Sequence, residues 1–298
     1  MTSRAPAKIN LCLRVLGVGA DGYHLIETLF LRLGLADEVV IDRAPSLQLE
    51  VVGDFDVPPG PANIVWRAAD AFFAESGRTP EASIRLCKRI PVAAGLGGGS
   101  SDAASVLIGL NQLYDRPLDD ARLMKLAGQL GSDVPFFVAD VPYAFATGRG
   151  DRVLPLAPPP SRAVLIVVPD FGVSARDAYA WRRTAVESGA QSRTEPGRLP
   201  DSSELGDWGV VDGIAGNDLA EAVFLRRPEL RAAADELAGT GPALTTLCGS
   251  GSCLAGIYQS TAARDRAATE LSGSPAIGQK WKLISTWTDG AGAPEEPG

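Results

Sequence analysis

The residues best suited to chemistry form one unbroken stretch: Pro91, Val92, Ala93, Ala94, Gly95, Leu96, Gly97, Gly98, Gly99, Ser100 and Ser101. Glycines let the backbone take positive φ and let a ligand approach the amides closely. Apolar residues at helical spacing follow, with Ala103, Leu107, Leu110 and Tyr114 on one stripe. The free N–H groups and the positive dipole end of that helix would face the loop. Such a loop suits a phosphate. It is not a P-loop, because Ser100 stands where the second glycine of that motif is needed, and no lysine follows. It is not a dinucleotide fingerprint either, because Ser100 again replaces the last glycine. On the glycines alone, a plain turn before a helix capped by Ser100 or Ser101 fits as well.

Other candidates lie apart from this stretch. Ala7, Ile9, Leu11, Leu13 and Val15 alternate with Lys8, Asn10, Cys12 and Arg14, the period of a half-buried strand. Lys8 and Asn10 then share the face opposite the core. Asp133 sits between a helix stop at Gly131 and Pro135, in a loop where a side chain can face a cleft. His24 is the only histidine, so a histidine-based zinc site or a Ser-His-Asp triad would have to use it, and no motif around it supports either. Asn63 precedes a helical stretch and suits a cap or a pocket wall. A second glycine turn stands at Gly249, Ser250 and Gly251. Cys248 and Cys253 read as small buried residues.

These residues need elements to hold them. Strand-like runs at 25–33, 37–43, 46–52 and 82–90 precede the loop, with a helix at 62–76 between the last two. After the loop come the helix carrying Ala103, Leu107, Leu110 and Tyr114, a second helix at 119–130, and strands at 142–147 and 152–156. Pro158, Pro159 and Pro160 mark a boundary between domains 1–157 and 161–287. The second domain reads as a strand at 164–168, a helix at 174–185, helices at 217–226 and 228–238, and strands at 243–247 and 253–258. A helix at 261–271 and a strand at 280–286 follow. Residues 187–213 read as a long surface loop, and 288–298 as a disordered tail. The mixture lacks regular βαβ alternation, so the fold class is α+β.

Composition narrows the partners. The chain has 298 residues, 45% hydrophobic and 21% charged, as in a soluble globular protein. Lys+Arg number 28 against 36 Asp+Glu, a net charge of −8. That disfavours nucleic acid and anionic membranes as partners. No apolar run is long enough to span a membrane, and no signal peptide stands out. The four cysteines are expected as reduced thiols in the cytoplasm.

The stretch 91–101 resembles the phosphate-binding motif P-x-x-x-G-L-G-[GS]-[GS]-S-S of the GHMP kinase superfamily, matching at every invariant position. Pro6, Ala7, Lys8, Ile9 and Asn10, then Asp21, Gly22, Tyr23 and His24, narrow the resemblance to the 4-diphosphocytidyl-2-C-methyl-D-erythritol kinase family, as do Asn63–Ala69 and Gly131–Phe137. Gly249, Ser250 and Gly251 are similar to the third superfamily motif, a possible phosphate or substrate loop, with departures at Cys248 and Ala255.

The resemblance implies an N-terminal ribosomal-protein-S5-domain-2-like domain with a left-handed crossover, a ferredoxin-like C-terminal domain, and an active site in the cleft between them. It implies ATP as co-substrate with Mg²⁺, and transfer to the C2 hydroxyl of the methylerythritol unit. Lys8 and Asp133 match the catalytic lysine and aspartate, with their division of labour open. Asn10, Tyr23 and His24 match the acceptor site, 91–101 and Asn63 the ATP site. Metal ligands and oligomeric state stay unassigned. The rival readings are a GHMP kinase for mevalonate, homoserine or a sugar, and a silent nucleotide-binding paralogue. Tyr23 with His24 speaks against the first, and Lys8 with Asp133 beside an intact loop against the second.

Overall fold

The structure, a computed structural model, describes residues 1–292 apart from 21, 56, 193, 195–199 and 279. The chain opens with a long antiparallel hairpin of β1 (Thr2–Val18) and β2 (His24–Arg43). β3 (Gln48–Gly53), α1 (Ile64–Ser76) and β4 (Ala82–Lys88) form a β-α-β unit whose two strands lie parallel and adjacent. α1 is capped by Asn63 and stopped by Gly77 in the left-handed region, as its sequence predicts. α2 (Gly98–Leu113), α3 (Asp120–Leu130) and α4 (Val134–Val138) follow, then the hairpin β5 (Tyr143–Thr147) and β6 (Arg152–Pro155). The strands form one sheet in the order β3-β4-β2-β1, with β5 on β2. Its helical face holds Phe72, Leu107, Leu110, Phe136 and Ile84 in one buried cluster.

The second half contains β7 (Ala163–Val168), α5 (Ala175–Glu187), α6 (Trp208–Ile214), β8 (Gly216–Asn217), α7 (Ala220–Arg226) and α8 (Pro228–Gly239). It ends with β9 (Leu244–Leu247), β10 (Leu254–Tyr258), α9 (Thr261–Ser272) and β11 (Lys282–Trp287). The antiparallel sheet β11-β7-β10-β9, with helices between β7 and β9 and between β10 and β11, has the ferredoxin-like order that the resemblance implies. The short β8 crosses over and pairs with β1 at Cys12 and Leu13. The two sheets share a core: Ile9, Leu11, Leu29 and Leu31 meet Ile166, Val168 and Ile257, all essentially dry.

Three expectations are corrected. Residues 187–213 are not all surface loop, because α6 begins within them. Leu205, Trp208 and Val211 are buried, and Tyr143 donates its hydroxyl proton to the Leu205 carbonyl at 3.0 Å. Residues 193 and 195–199 lie outside the described ones. Thr288 and Asp289, placed in the expected tail, are tied down: Thr288 exchanges hydrogen bonds with Arg162 and Asp289 pairs with Arg32. Residues 293–298 also lie outside the described ones. Lys8 and Asn10 do not lie on a solvated face, because both are buried.

Ile166→Ala, at the centre of the core shared by the sheets, should destabilise the protein by about 2–5 kcal/mol. Urea unfolding measures it. A loss under about 1 kcal/mol would mean that the sheets do not share one well-packed core.

Candidate active site

Lys8 is the point where the elements meet. A register shift in the β1–β2 ladder between Pro6 and Lys8 frees the Lys8 N–H, which donates to the Leu96 carbonyl at 2.9 Å. Its ammonium donates to Asn10 Oδ1 at 2.8 Å and to the Gly95 carbonyl at 3.1 Å, and stands 3.3 Å from Asp133 Oδ2. A charge this deep needs such partners. Asn10 is held in turn: its Nδ2 donates to Thr28 Oγ1 at 2.7 Å, and that hydroxyl donates to the Cys12 carbonyl.

Asp133 stands at the N-cap position of α4 yet makes no side-chain cap hydrogen bond, so its carboxylate is left for Lys8. It is a quarter exposed where Lys8 is nearly closed off, which gives the pair one buried and one open member.

The glycine stretch ends in α2, whose N-cap is Gly97 with φ 72°. No side chain caps this helix, which corrects the expected serine cap: Ser101 Oγ is buried without a partner, and the N–H groups of the first turn stay available to an anion. The cleft outside this turn holds about 400 Å³ and is lined by Asn63, Ile64, Arg67, Lys88 and the residues 91–100. Besides lining the cleft, Asn63 caps α1, its Oδ1 accepting the Val65 N–H at 2.9 Å. Gly95, at φ 77°, allows no other residue: a Cβ there would stand 1.7 Å from the Cys248 carbonyl oxygen.

That contact brings the second glycine turn into the site. The Cys253 N–H donates to the Ala94 carbonyl, and Asn217 Nδ2 donates to the carbonyls of Leu247 and Gly249 at 2.8 and 2.7 Å. A Cβ on Gly249 would lie 3.3 Å from Lys8 Nζ and 3.4 Å from Asn10 Oδ1. Cys248 and Cys253 are buried free thiols, and burial pushes Cys248 up to about 12.

Tyr23 and His24 follow the turn of the first hairpin. They line a separate pocket of about 520 Å³ with Ser132, Arg149, Tyr179 and Arg183. The His24 ring stacks on Tyr179 with centroids 4.5 Å apart, and the Arg149 guanidinium lies 4.9 Å from the centre of the Tyr23 ring. Burial and then the Arg183 charge hold the His24 imidazole below its usual range. Burial and then the Asp133 charge push the Tyr179 hydroxyl upward. Sequence reasoning missed Tyr179, which shares α5 with a second aromatic residue, Trp181. It also missed Asn217, whose Oδ1 bonds the Leu219 N–H like an ordinary turn residue.

Similar proteins share this arrangement of elements. The model of the GHMP kinases N-terminal domain matches residues 63–141. A 4-diphosphocytidyl-2-C-methyl-D-erythritol kinase of Citrifermentans bemidjiense is 40% identical over 269 residues, 90% of this chain and 92% of that protein. The chain belongs to the 4-diphosphocytidyl-2-C-methyl-D-erythritol kinase family. A crystal structure of a 4-(cytidine 5'-diphospho)-2C-methyl-D-erythritol kinase superposes with a TM-score of 0.79 at 33% identity, covering 98% of this chain and all of that one. The mevalonate kinase of L. major, with TM-score 0.68 and 14% identity, shares the fold. The chain is therefore a GHMP kinase of α+β, two-domain architecture, a small-molecule phosphotransferase that uses ATP. Among the described residues no helix is long and apolar enough to cross a membrane.

Gly97→Val would place its Cβ 2.9 Å from Lys8 Cγ and 3.0 Å from Cε at a φ unsuited to valine. ATP affinity should fall by at least about tenfold, the effect of about 1.4 kcal/mol, while the fold survives. Calorimetric titration and a thermal melt measure both. A folded variant with wild-type ATP affinity would remove the loop from the nucleotide site.

Proposed function

We propose that this kinase transfers the γ-phosphoryl group of ATP to the C2 hydroxyl of 4-diphosphocytidyl-2-C-methyl-D-erythritol, giving the 2-phosphate and ADP in non-mevalonate isoprenoid precursor synthesis. The observation that carries it is the Lys8–Asp133 pair: Lys8 packs against Gly95 and Gly97 of the glycine loop, and Asp133 follows Ser132, which lines the pocket of Tyr23, His24 and Tyr179. A mevalonate or homoserine kinase needs no aromatic pocket for a base. The reading divides the chain into domains 1–157 and 161–287 and places the enzyme in the cytoplasm, without nucleic-acid or membrane partners.

The triphosphate lies along residues 91–101 with its charge on the N-terminal turn of α2. Gly249, Ser250 and Gly251 close the floor beside Lys8. Asn63 lines the adenosine end. Magnesium would neutralise charge on the phosphates held along residues 91–101.

The acceptor's cytosine stacks on the exposed Tyr23 ring. His24, held neutral, offers one N–H donor and one acceptor nitrogen to the base edge. The methylerythritol end then reaches Asn10 and the catalytic pair. Asp133, the more open member, receives the proton of the C2 hydroxyl. Lys8 holds the Asp133 carboxylate in place and stabilises negative charge on the transferring group.

Magnesium-dependent ADP release with the cytidine diphosphate acceptor, mevalonate, homoserine and galactose side by side tests the reading. Turnover with the first alone is expected, and turnover with another instead would overturn it. Asp133→Asn should lower kcat by about 10²–10⁴-fold with little change in either KM. A variant keeping a third of the rate would take the proton-accepting role from Asp133. Tyr23→Ala should raise the acceptor KM roughly 5- to 150-fold, the value of about 1–3 kcal/mol of stacking, and leave the ATP KM alone. A shift in the ATP value only would move Tyr23 to the donor site.

A further inference from the structure

Behind the glycine loop lies a charged cluster that the transfer step does not use. Asp37 from β2, Lys88 at the end of β4 and Asp102 just past the first turn of α2 are 1%, 3% and 2% exposed. Lys88 Nζ donates to Asp102 Oδ2 at 2.8 Å and also to Asp37 Oδ2. The other Asp37 oxygen accepts the Ile90 N–H at 2.8 Å and the Arg89 N–H. Asp37 thus grips the entry to the loop directly, and its exit through Lys88 and Asp102. Lys88 Nζ lies 3.3 Å from where a Cβ on Gly98 would stand, and Lys88 and Asp102 both border the cleft beneath that turn.

The charge count is uneven. Two ionised carboxylates against one ammonium would leave a net negative charge, out of water, under a triphosphate. Two carboxylates sharing such a space do not both ionise readily. Asp102 Oδ1 is buried with no hydrogen-bond partner, a position that an uncharged carboxyl tolerates far better than a carboxylate.

We propose that Asp37, Lys88 and Asp102 are positioning residues for the nucleotide: they clamp both stems of the phosphate loop to the sheet, and a proton on Asp102 keeps the ground beneath the triphosphate free of net negative charge. The inference rests on the ATP site described above. The electrostatic environment points the same way: burial pushes Asp102 up to about 8, Lys88 opposes this, and Asp37 adds to it. Burial works against the Lys88 charge, and the carboxylates of Asp102 and Asp37 outweigh it. Asp37 and Lys88 are the charged groups that act on Asp102; α1 sends Arg67 to the same cleft, and β1, α3 and α4 send none that perturbs it.

Protonated Asp102 is the binding-competent form, so affinity is full below its titration and is lost as pH rises through it. The test is calorimetric binding of a non-hydrolysable ATP analogue with Mg²⁺, without acceptor, for wild type, Asp102→Asn and Asp37→Asn. Each protein's melting is followed at every pH. Between about pH 7 and about pH 9 the wild-type Kd should rise about tenfold. Asp102→Asn should show no such rise. In Asp37→Asn one carboxylate faces one lysine, Asp102 ionises at lower pH, and the rise should leave this window; this variant carries the test if Asp102→Asn does not fold. A rise of equal size and midpoint in wild type and a folded variant, or a flat wild type, would overturn the inference while leaving the ATP site intact. No binding to wild type at any pH would overturn the ATP site and the inference together.

Discussion

A lysine carried into the dry joint between two glycine turns is the constraint around which this molecule is built. Lys8 brings a charge into a place 3% exposed, and its partners must come from the protein. They come from three segments far apart in sequence: Asn10 on the same strand, the Gly95 carbonyl and the Asp133 carboxylate. Each demand spreads outward. Gly95 can offer its carbonyl because the lack of a Cβ lets the Cys248 carbonyl come against it. Cys248 is held there because β9 and β10 set the turn and Asn217 ties it down. The two sheets must therefore share a core, since a shift between them would pull the second turn off Lys8.

The protein carries a net charge of −8 and handles two anionic substrates. It does so with local charge of three kinds. The glycine cleft uses backbone N–H groups and a helix end, which carry no net charge and are left uncapped for the purpose. The transfer point uses one buried ammonium. The pocket of Tyr23 and His24 carries guanidinium groups, Arg149 and Arg183, beside the aromatic rings.

What could be read in advance follows from how far each signal reaches along the chain. Periodicity and turn chemistry are local, and they placed α1, α3, β7 and β10 to within a few residues. Residues 91–101, Lys8 and Asp133 stood out because their motifs are contiguous. The interlock of Gly95 with Cys248 left no trace, because a carbonyl contact carries no side-chain signature. The serine cap was a fair inference from residue type, and it failed because the helix begins at Gly98 after the left-handed Gly97, which puts both serines inside the helix. Lys8 and Asn10 were read onto a solvated face because alternation assumes one wet side, and this sheet is covered on both. Asp37 is the instructive miss: an acid inside an apolar stretch of β2, with Leu31, Leu33, Val39 and Ile41 around it, should have been asked for its partner.

The two lysine–aspartate groups of this site show how one fold separates two tasks. At Lys8 one carboxylate meets one ammonium and keeps a quarter of its surface open. That carboxylate can therefore reach a substrate hydroxyl and take its proton. At Lys88 two carboxylates meet one ammonium with no surface open, so the cluster is suited to bearing load and poorly suited to chemistry. The residue types are the same and the two ammonium groups flank the same glycine turn, at Gly97 and at Gly98. Stoichiometry and access to water separate them. An acid facing the cleft works as an ion, whereas an acid behind the phosphate loop is tolerable only if its charge is cancelled. A loop that must present bare amides to a triphosphate cannot hold itself in shape with side-chain caps on its outer face. Its rigidity has to come from behind, and the Asp37–Lys88–Asp102 clamp is where the structure places it.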